Sequence, residues 1–404
     1  MVSAIAGFAT DGDALTCRMC FASAEEAGEE LISPCGCRGS VAYVHLSCIF
    51  RHYECRETWW DLSCPTCELP YSPSVGIKLG HFGLARAEEA FGLLSQAVAA
   101  VLVSLGSSYG LAGQVHEQRE LTERALVILH REFGPNDPEV ARALLGLGFA
   151  HGALGDAQLQ CDLLERALEI YEYHHGQSSP EVADTLTLLA NAFARLEDGP
   201  RQLELYGRAL KIYEDCYGPS HLGVANALHG QGMAYGELGE PERKRELLER
   251  ALKITAQVYG QDHLQVATLL ANLGTALISL GELPSAIRTF WGARRIFLRE
   301  VGEMDRDTRL AEDMLEELAD PARAWQGTAL LRAALAGCVC VAGADLAAHD
   351  AEPKASGPPL PGGPTPALGA QLLRAALAGP DPAQEPARAK AEAGAALLRI
   401  ALSG

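Results

Sequence analysis

Basic charge is what this 404-residue chain lacks: 33 Lys and Arg stand against 52 Asp and Glu, a formal net charge of −19. Nucleic acids and anionic membranes are held by clustered Lys and Arg. The balance therefore argues against both and leaves proteins as the expected partners. Neither a secretory signal nor a transit peptide is expected, because "MVSAIAGFATDGD" has no basic n-region and its apolar run breaks at Asp11. The expected compartment is the cytoplasm, with the nucleus as the other option. There is no phosphate-binding loop, no nucleophile elbow and no framed pair of catalytic carboxylates. Long uncharged runs are nearly absent. Ala90 to Val115 is one and has the length of a membrane span, but Ser95, Gln96, Ser104, Ser107 and Ser108 interrupt it and it keeps the repeat register described below. A buried helix is expected there. The apolar run from Ala329 to Ala344 is broken by Arg332 and reads as a capping or surface helix.

What is present, 48% hydrophobic and 21% charged residues, is the balance of a globular chain of two or three domains. Cysteine is unevenly placed. Cys17, Cys20, Cys35, Cys37, Cys48, Cys55, Cys64 and Cys67 fall in the first seventy residues, and only four lie beyond. In a reducing compartment such a cluster, joined by His45, points to metal rather than disulfides. The spacing supplies four pairs: Cys17-x2-Cys20, Cys35-x-Cys37, His45-x2-Cys48 and Cys64-x2-Cys67. A structural zinc ion takes four such ligands in a tetrahedron, and a pair one or two residues apart lets one turn present both donors. Eight ligands close two zinc sites. A segment this short cannot fold on apolar burial alone, so metal would supply its folding free energy, about 10 kcal/mol or more per site. Cys55 has no place in the pattern and reads as a free thiol.

Beyond the ligands, "CRMC" at Cys17–Cys20, "PCGCRGS" at Pro34–Ser40, "VHLSC" at Val44–Cys48 and "CPTCELPY" at Cys64–Tyr71 resemble the RING-CH (RING-variant) zinc finger of one class of ubiquitin ligases, over residues 15–72. The resemblance implies a cross-brace, with Cys17, Cys20, His45 and Cys48 on one ion and Cys35, Cys37, Cys64 and Cys67 on the other. It also implies a module that docks a ubiquitin-charged conjugating enzyme (E2) and holds the thioester in a reactive geometry. Carried over by position, Met19, Ile49 and Pro65 would form the docking groove. His52 stands where the family often has tryptophan, and Glu68 stands where some RING domains carry a base that contacts ubiquitin, which implies a weaker ligase. A PHD finger shares the ligand order, usually with a shorter loop between the fourth and fifth ligands, and is the alternative.

Downstream, glycine recurs at Gly92, Gly134, Gly176, Gly218, Gly260 and Gly302, each 42 residues after the last. Val-Ala pairs beginning at Val98, Val140, Val182, Val224 and Val266, and "RAL" beginning at Arg124, Arg166, Arg208 and Arg250, keep the same interval. Each period holds two apolar patterns of helical spacing, so the unit is a helix–turn–helix. Gly106, Gly148, Ala190, Gly232 and Gly274 fall at one position of the first helix, where close helix–helix approach is expected. "NDPEV" and "SSPEV" offer Asp137 and Ser179 as N-caps, with Pro138 and Pro180 as first helical residues, and Gly134 and Gly176 suit a left-handed C-cap. "VATLLANLGTALISLGELPSAIRTF" at Val266–Phe290 resembles tetratricopeptide (TPR) repeats of the kinesin-light-chain kind. About five repeats over 93–301 are expected to stack into a right-handed superhelical solenoid whose concave face binds a protein substrate or partner. The family's groove asparagine is matched at Asn272, while Ser104, Gly146, Leu188 and Gly230 hold the equivalent positions.

The reading is thus a mainly α chain. A flexible stretch at 1–14 precedes the two-zinc cross-brace domain at 15–72. A linker or partial capping helix at 73–92, the repeats, capping helices at 302–344 and a Pro/Ala/Gly-rich disordered tail at 345–404 follow. "LLRAALAG" recurs in that C-terminal region at Leu330–Gly337 and Leu372–Gly379, with "LLRIALSG" at Leu397–Gly404. Two functions fit: a RING-type E3 ubiquitin ligase that recruits its substrate through the repeats, or a non-catalytic zinc-finger/TPR scaffold or PHD-like reader.

Overall fold

A computed structural model describes residues 15–56 and 58–319. The expected flexible stretch at 1–14, the tail, the "LLRAALAG" segments and the capping-helix stretch beyond residue 319 lie outside the described residues.

Contacts divide the chain after Ala150 into two units. The first opens with the cysteine-rich segment, whose regular structure is short: α1 (Ala24–Ala27), an antiparallel pair β1 (Leu31–Ile32) and β2 (Val44–His45), and α2 (Leu46–Glu54). Ser23 and Glu26 close a capping box on α1. His45, at the N-cap of α2, and Ile49 and Tyr53 within it lie four residues apart and are all about 1% exposed. Ile49 and Tyr53 share a core with Val44, Leu62, Tyr71, Val75 and Leu79.

Residues 73–92, read above as a linker or partial capping helix, hold a full 19-residue helix, α3 (Pro73–Phe91). Its ends fall 42 residues before those of α5 (Val115–Phe133), so α3 is a second helix of a repeat, in register. The stretch tested as a membrane span contains the end of α3, a turn at Gly92 and the 16-residue α4 (Gln96–Leu111). Among the described residues no helix is long and apolar enough to cross a membrane. The division falls within the helix α6 (Pro138–Ala153).

The second unit continues with α7 (Ala157–His175), α8 (Pro180–Arg195), α9 (Gly199–Tyr217), α10 (Leu222–Glu237), α11 (Pro241–Tyr259), α12 (Leu264–Ser279), α13 (Leu283–Glu300) and α14 (Arg306–Ala319). From α7 to α14 each helix packs on the next. The N-caps form as the sequence predicts: Ser179 accepts from the Val182 N–H at 3.3 Å and Asp137 from the Glu139 N–H at 2.8 Å. The small-residue register also has its physical reason, since a Cβ at Gly274 would sit 2.6 Å from the Phe290 ring. The recurring glycines differ from the expectation in one respect. Gly134 has φ 84° and ψ 176°, and Gly176 has φ 80° and ψ 163°. This is not the left-handed helical region but the extended region at positive φ, which is essentially reserved for glycine.

Candidate metal centre

The first and fourth ligand pairs are built alike. At Cys17 the Phe21 N–H donates to the Cys17 carbonyl (2.8 Å) and the Cys17 N–H to the Ala22 carbonyl (2.9 Å). At Cys64 the Glu68 N–H donates to the Cys64 carbonyl (2.8 Å) and the Cys64 N–H to the Leu69 carbonyl (2.9 Å). In each turn an N–H two residues on, from Met19 or Thr66, points at the first thiol at 3.4 Å. Phe21 and Glu68, just after the second ligands, take positive φ of 63° and 58°, a strained choice of about 1–3 kcal/mol each that nothing in the spacing announces.

The remaining ligands arrive on the hairpin and α2. The pairing of Leu31 with His45 and Ile32 with Val44 fixes the strand that ends in His45, and Cys48 follows in the first turn of α2 on the same side. The Cys35-Gly-Cys37 turn lies under Leu69, so close that a Cβ on Gly36 would come 2.5 Å from the Leu69 Cδ1.

Two four-residue clusters result: Cys17, Cys20, His45 and Cys48, and Cys35, Cys37, Cys64 and Cys67, the donor atoms of each within 4.8 Å of one another. A tetrahedral zinc ion with Zn–S near 2.3 Å requires S···S edges of roughly 3.8 Å, and the Cys37–Cys64 sulfurs are 3.8 Å apart. In the other cluster the His45 Nδ1 lies 3.3 Å from the Cys20 sulfur and 3.9 Å from that of Cys48, so Nδ1 is the ligating nitrogen. The donor sets fit zinc, first with third pair and second with fourth.

Protonation in this metal-free geometry is uneven. Burial pushes the Cys37 and Cys48 thiols up to about 12, with neighbouring cysteines adding to the rise. Burial also raises Cys17, but backbone N–H donors from His45, Cys20 and Met19 prevail and bring it down to about 6. Against the same burial, the Cys67 and Thr66 N–H groups bring Cys64 to about 6. Each site thus combines a thiol already close to thiolate with others that must release protons to bind metal.

Arg18, inside the first pair, was not singled out by the sequence. Its guanidinium leaves its own site and reaches the other: Nη2 is 3.2 Å from the Cys64 sulfur and 3.9 Å from that of Cys35, while Nη1 donates to the Val41 carbonyl at 2.7 Å. Burial opposes its charge, but the contacts with Cys35 and Cys64 hold it above the usual arginine value. A four-thiolate zinc site carries two net negative charges, and Arg18 offsets part of that field from the neighbouring site.

The expected docking residues separate. Met19 is 36% exposed, Pro65 is exposed and His52 half-buried. Ile49 is 1% exposed and belongs to the core with Tyr53 and Val75. Its assignment to the groove is therefore corrected: the face of α2 that carries His45 turns inward and takes Ile49 with it. Beside Met19, the two ligand turns also expose Phe21 (78%) and Leu69 (53%). His52 accepts from Arg56 Nε at 3.3 Å and is lowered by burial and by that charge. Cys55 is exposed at the end of α2.

Asn272 is likewise corrected as a groove residue. It is 3% exposed, and its Nδ2 donates to the His229 Nε2 at 2.8 Å. Beside it Lys244 donates to Thr275 at 2.9 Å. These groups form an internal polar cluster among α10, α11 and α12.

Residues 17–68 match the RING-variant domain family; residues 97–172 and 181–243 match one tetratricopeptide repeat family and residues 224–265 another. The chain carries a RING-variant domain followed by tetratricopeptide repeats. Among solved structures, BtubC (BKLC) from P. vanneervenii is similar at 20% identity over 58% of this chain and 94% of that one, with a TM-score of 0.50. A Podosopora anserina protein described as a kinesin light chain with nearly identical TPR-like repeats is similar at 22% identity over 51% of this chain and 98% of that one, with a TM-score of 0.45. The first of these likenesses shows the fold of the repeats alone. No curated protein matches the chain.

Proposed function

We propose that this chain is a RING-type ubiquitin ligase: the zinc module docks a ubiquitin-charged conjugating enzyme, and the repeats recruit the protein that receives ubiquitin. The observation that carries the reading is a RING-variant domain with both four-ligand sets complete and with Met19 and Pro65 presented outward from the first and last ligand turns.

The module forms no covalent bond in this scheme. A substrate lysine amine attacks the thioester carbonyl, the C–S bond breaks, the conjugating enzyme leaves as a thiolate, and the nitrogen gives up one proton to solvent as the isopeptide bond forms. Zinc supplies no reacting group; it holds the two turns so that Met19, Phe21, Pro65 and Leu69 stand fixed for docking. Fixing two reactants in place is worth up to roughly 7–11 kcal/mol of barrier. With Ile49 inside the core, docking rests on these ligand turns, and exposed Phe21 joins them. Reduced thiols suit zinc better than disulfides, so the cytoplasm or nucleus is the compartment this function needs.

The test is self-ubiquitination by the full-length protein with a panel of conjugating enzymes. Product with at least one enzyme, lost in Pro65→Ala, is expected. No product with any enzyme, from protein carrying two zinc ions, would overturn the ligase reading and leave an interaction scaffold.

A further inference from the structure

We propose that the zinc module has a second function, as the N-terminal capping unit of the repeat array, so that metal loading controls the order of the first repeat. The proposal rests on the zinc sites and is independent of ligase activity.

Three observations carry it. First, α3 is a repeat helix by position and by contact. Its Glu88 pairs with Arg124 of α5, and the same pair recurs 84 residues on as Glu172–Arg208 (2.6 Å) and again as Glu214–Arg250. Second, among the described residues no first helix of a repeat precedes α3. In the next repeat Leu121 and Ala125 of α5 are buried, with Leu121 against Gly106 of α4. The matching residues of α3, 42 positions earlier, are Leu79 and Gly83. Leu79 lies in the core of the zinc module with Ile49, Tyr53 and Tyr71, and a Cβ on Gly83 would sit 2.6 Å from the Tyr53 Oη and 2.9 Å from the Trp59 carbonyl. Phe82 meets the Phe50 ring edge-on at 5.7 Å, and Arg86 pairs with Glu54 at 3.4 Å. The zinc module fills the place of a first helix. Third, the adjoining face of α3 is fitted to α4: a Cβ on Gly80 would meet Leu105 at 2.7 Å, one on Gly76 would meet Ser108 at 2.8 Å, and His81 Nε2 and the Tyr109 hydroxyl are 2.6 Å apart.

A helix with Gly76, Gly80 and Gly83 in eight residues has little stability of its own. Those glycines allow close contact with both neighbours, α4 and the zinc module, so α3 persists because it is held between them. Repeat arrays are stabilised by nearest-neighbour contacts and need a terminal cap. When the zinc module unfolds, α3 loses one side, α4 loses its neighbour, and the effect fades with distance.

Hydrogen exchange of the full-length protein, zinc-loaded and after a chelator has removed the metal, tests this. At least tenfold faster exchange in α3 and α4 is expected without zinc, with α10 to α13 unchanged. Unchanged exchange in α3 and α4, or an equal rise throughout α8 to α13, would overturn the proposal. Phe82→Ala separates capping from any general action of the chelator. With two zinc ions still bound, it should speed exchange in α3; wild-type exchange there contradicts the clamp. Neither measurement uses a conjugating enzyme, so a chain that caps but never transfers ubiquitin leaves this proposal standing and removes only the ligase reading.

Discussion

Replacing Gly83 with alanine sets two effects of known sign against each other. In the middle of a helix, alanine is favoured over glycine by about 1 kcal/mol. At this position the added Cβ would lie 2.6 Å from the Tyr53 Oη, 2.9 Å from the Trp59 carbonyl and 3.1 Å from the Trp59 Cβ, and Tyr53 is 1% exposed with its hydroxyl bonded to that same carbonyl. Forcing a methyl into a packed site costs about 1–3 kcal/mol, and pushing the hydroxyl off its acceptor adds roughly 1 kcal/mol. The net is a loss of about 1–3 kcal/mol, borne by the zinc module. Zinc release reports the unfolding of that module, so a chromophoric chelator in a urea titration of the full-length protein reads it directly. With a slope of about 1 kcal/mol per molar urea, the release midpoint should fall by roughly 1–3 M. Gly207→Ala is the control: its Cβ would meet only the Gln231 Nε2 at 3.5 Å, and the release midpoint should not move. An unchanged or higher midpoint in Gly83→Ala would mean that helix propensity wins and that α3 is not seated on the module.

Arg18→Gln should weaken metal binding at Cys35, Cys37, Cys64 and Cys67 by about 10–100-fold, the usual scale for losing a group that supports metal ligands, and spare the histidine-containing site. Cobalt substitution distinguishes four-sulfur from three-sulfur ligation, and equal loss at both sites would contradict the role. His229 is lowered to about 4 by burial and by the charge of Lys244, below its ordinary value of 6.5. The unfolded chain therefore takes up the proton first, and the stability that neutral His229 contributes is present above about pH 6.5 and lost as pH falls towards 4. Hydrogen exchange of α10 and α12 should accelerate between pH 7 and 5, after correction for intrinsic rates, more in the wild type than in His229→Gln; equal acceleration would refute the assignment. Gly218, at φ 83° and ψ 169°, should tolerate alanine only at about 1–3 kcal/mol, read as faster exchange in α9 and α10, and no change would remove the backbone explanation for the recurring glycines.

The zinc ligands were legible because their chemistry fixes their spacing, and the repeats because 42-residue recurrence survives wide variation in sequence. What was missed depends on which way a helix face turns. His45, Ile49 and Tyr53 share one face of α2, and the i, i+4, i+8 spacing could have shown that a buried ligand would draw Ile49 inward. Asn272 was placed by analogy of position, yet its partner His229 lies 43 residues away on another helix. α3 had a signal in Gly92, first of the recurring glycines, and in the close spacing of Gly76, Gly80 and Gly83; without "RAL" and with so many glycines it read as a linker. Arg18 had none, since nothing in a linear sequence shows that its guanidinium reaches a thiol 46 residues on.

The proposed function requires the two ligand turns to present a docking surface for a charged conjugating enzyme. Single-turnover discharge of ubiquitin from that enzyme to free lysine, with wild-type protein beside the Met19→Ala, Pro65→Ala double variant, tests it most directly. Clear acceleration by the wild type, with at least a tenfold loss in a variant that still binds two zinc ions, is expected. Equal acceleration by both would contradict it.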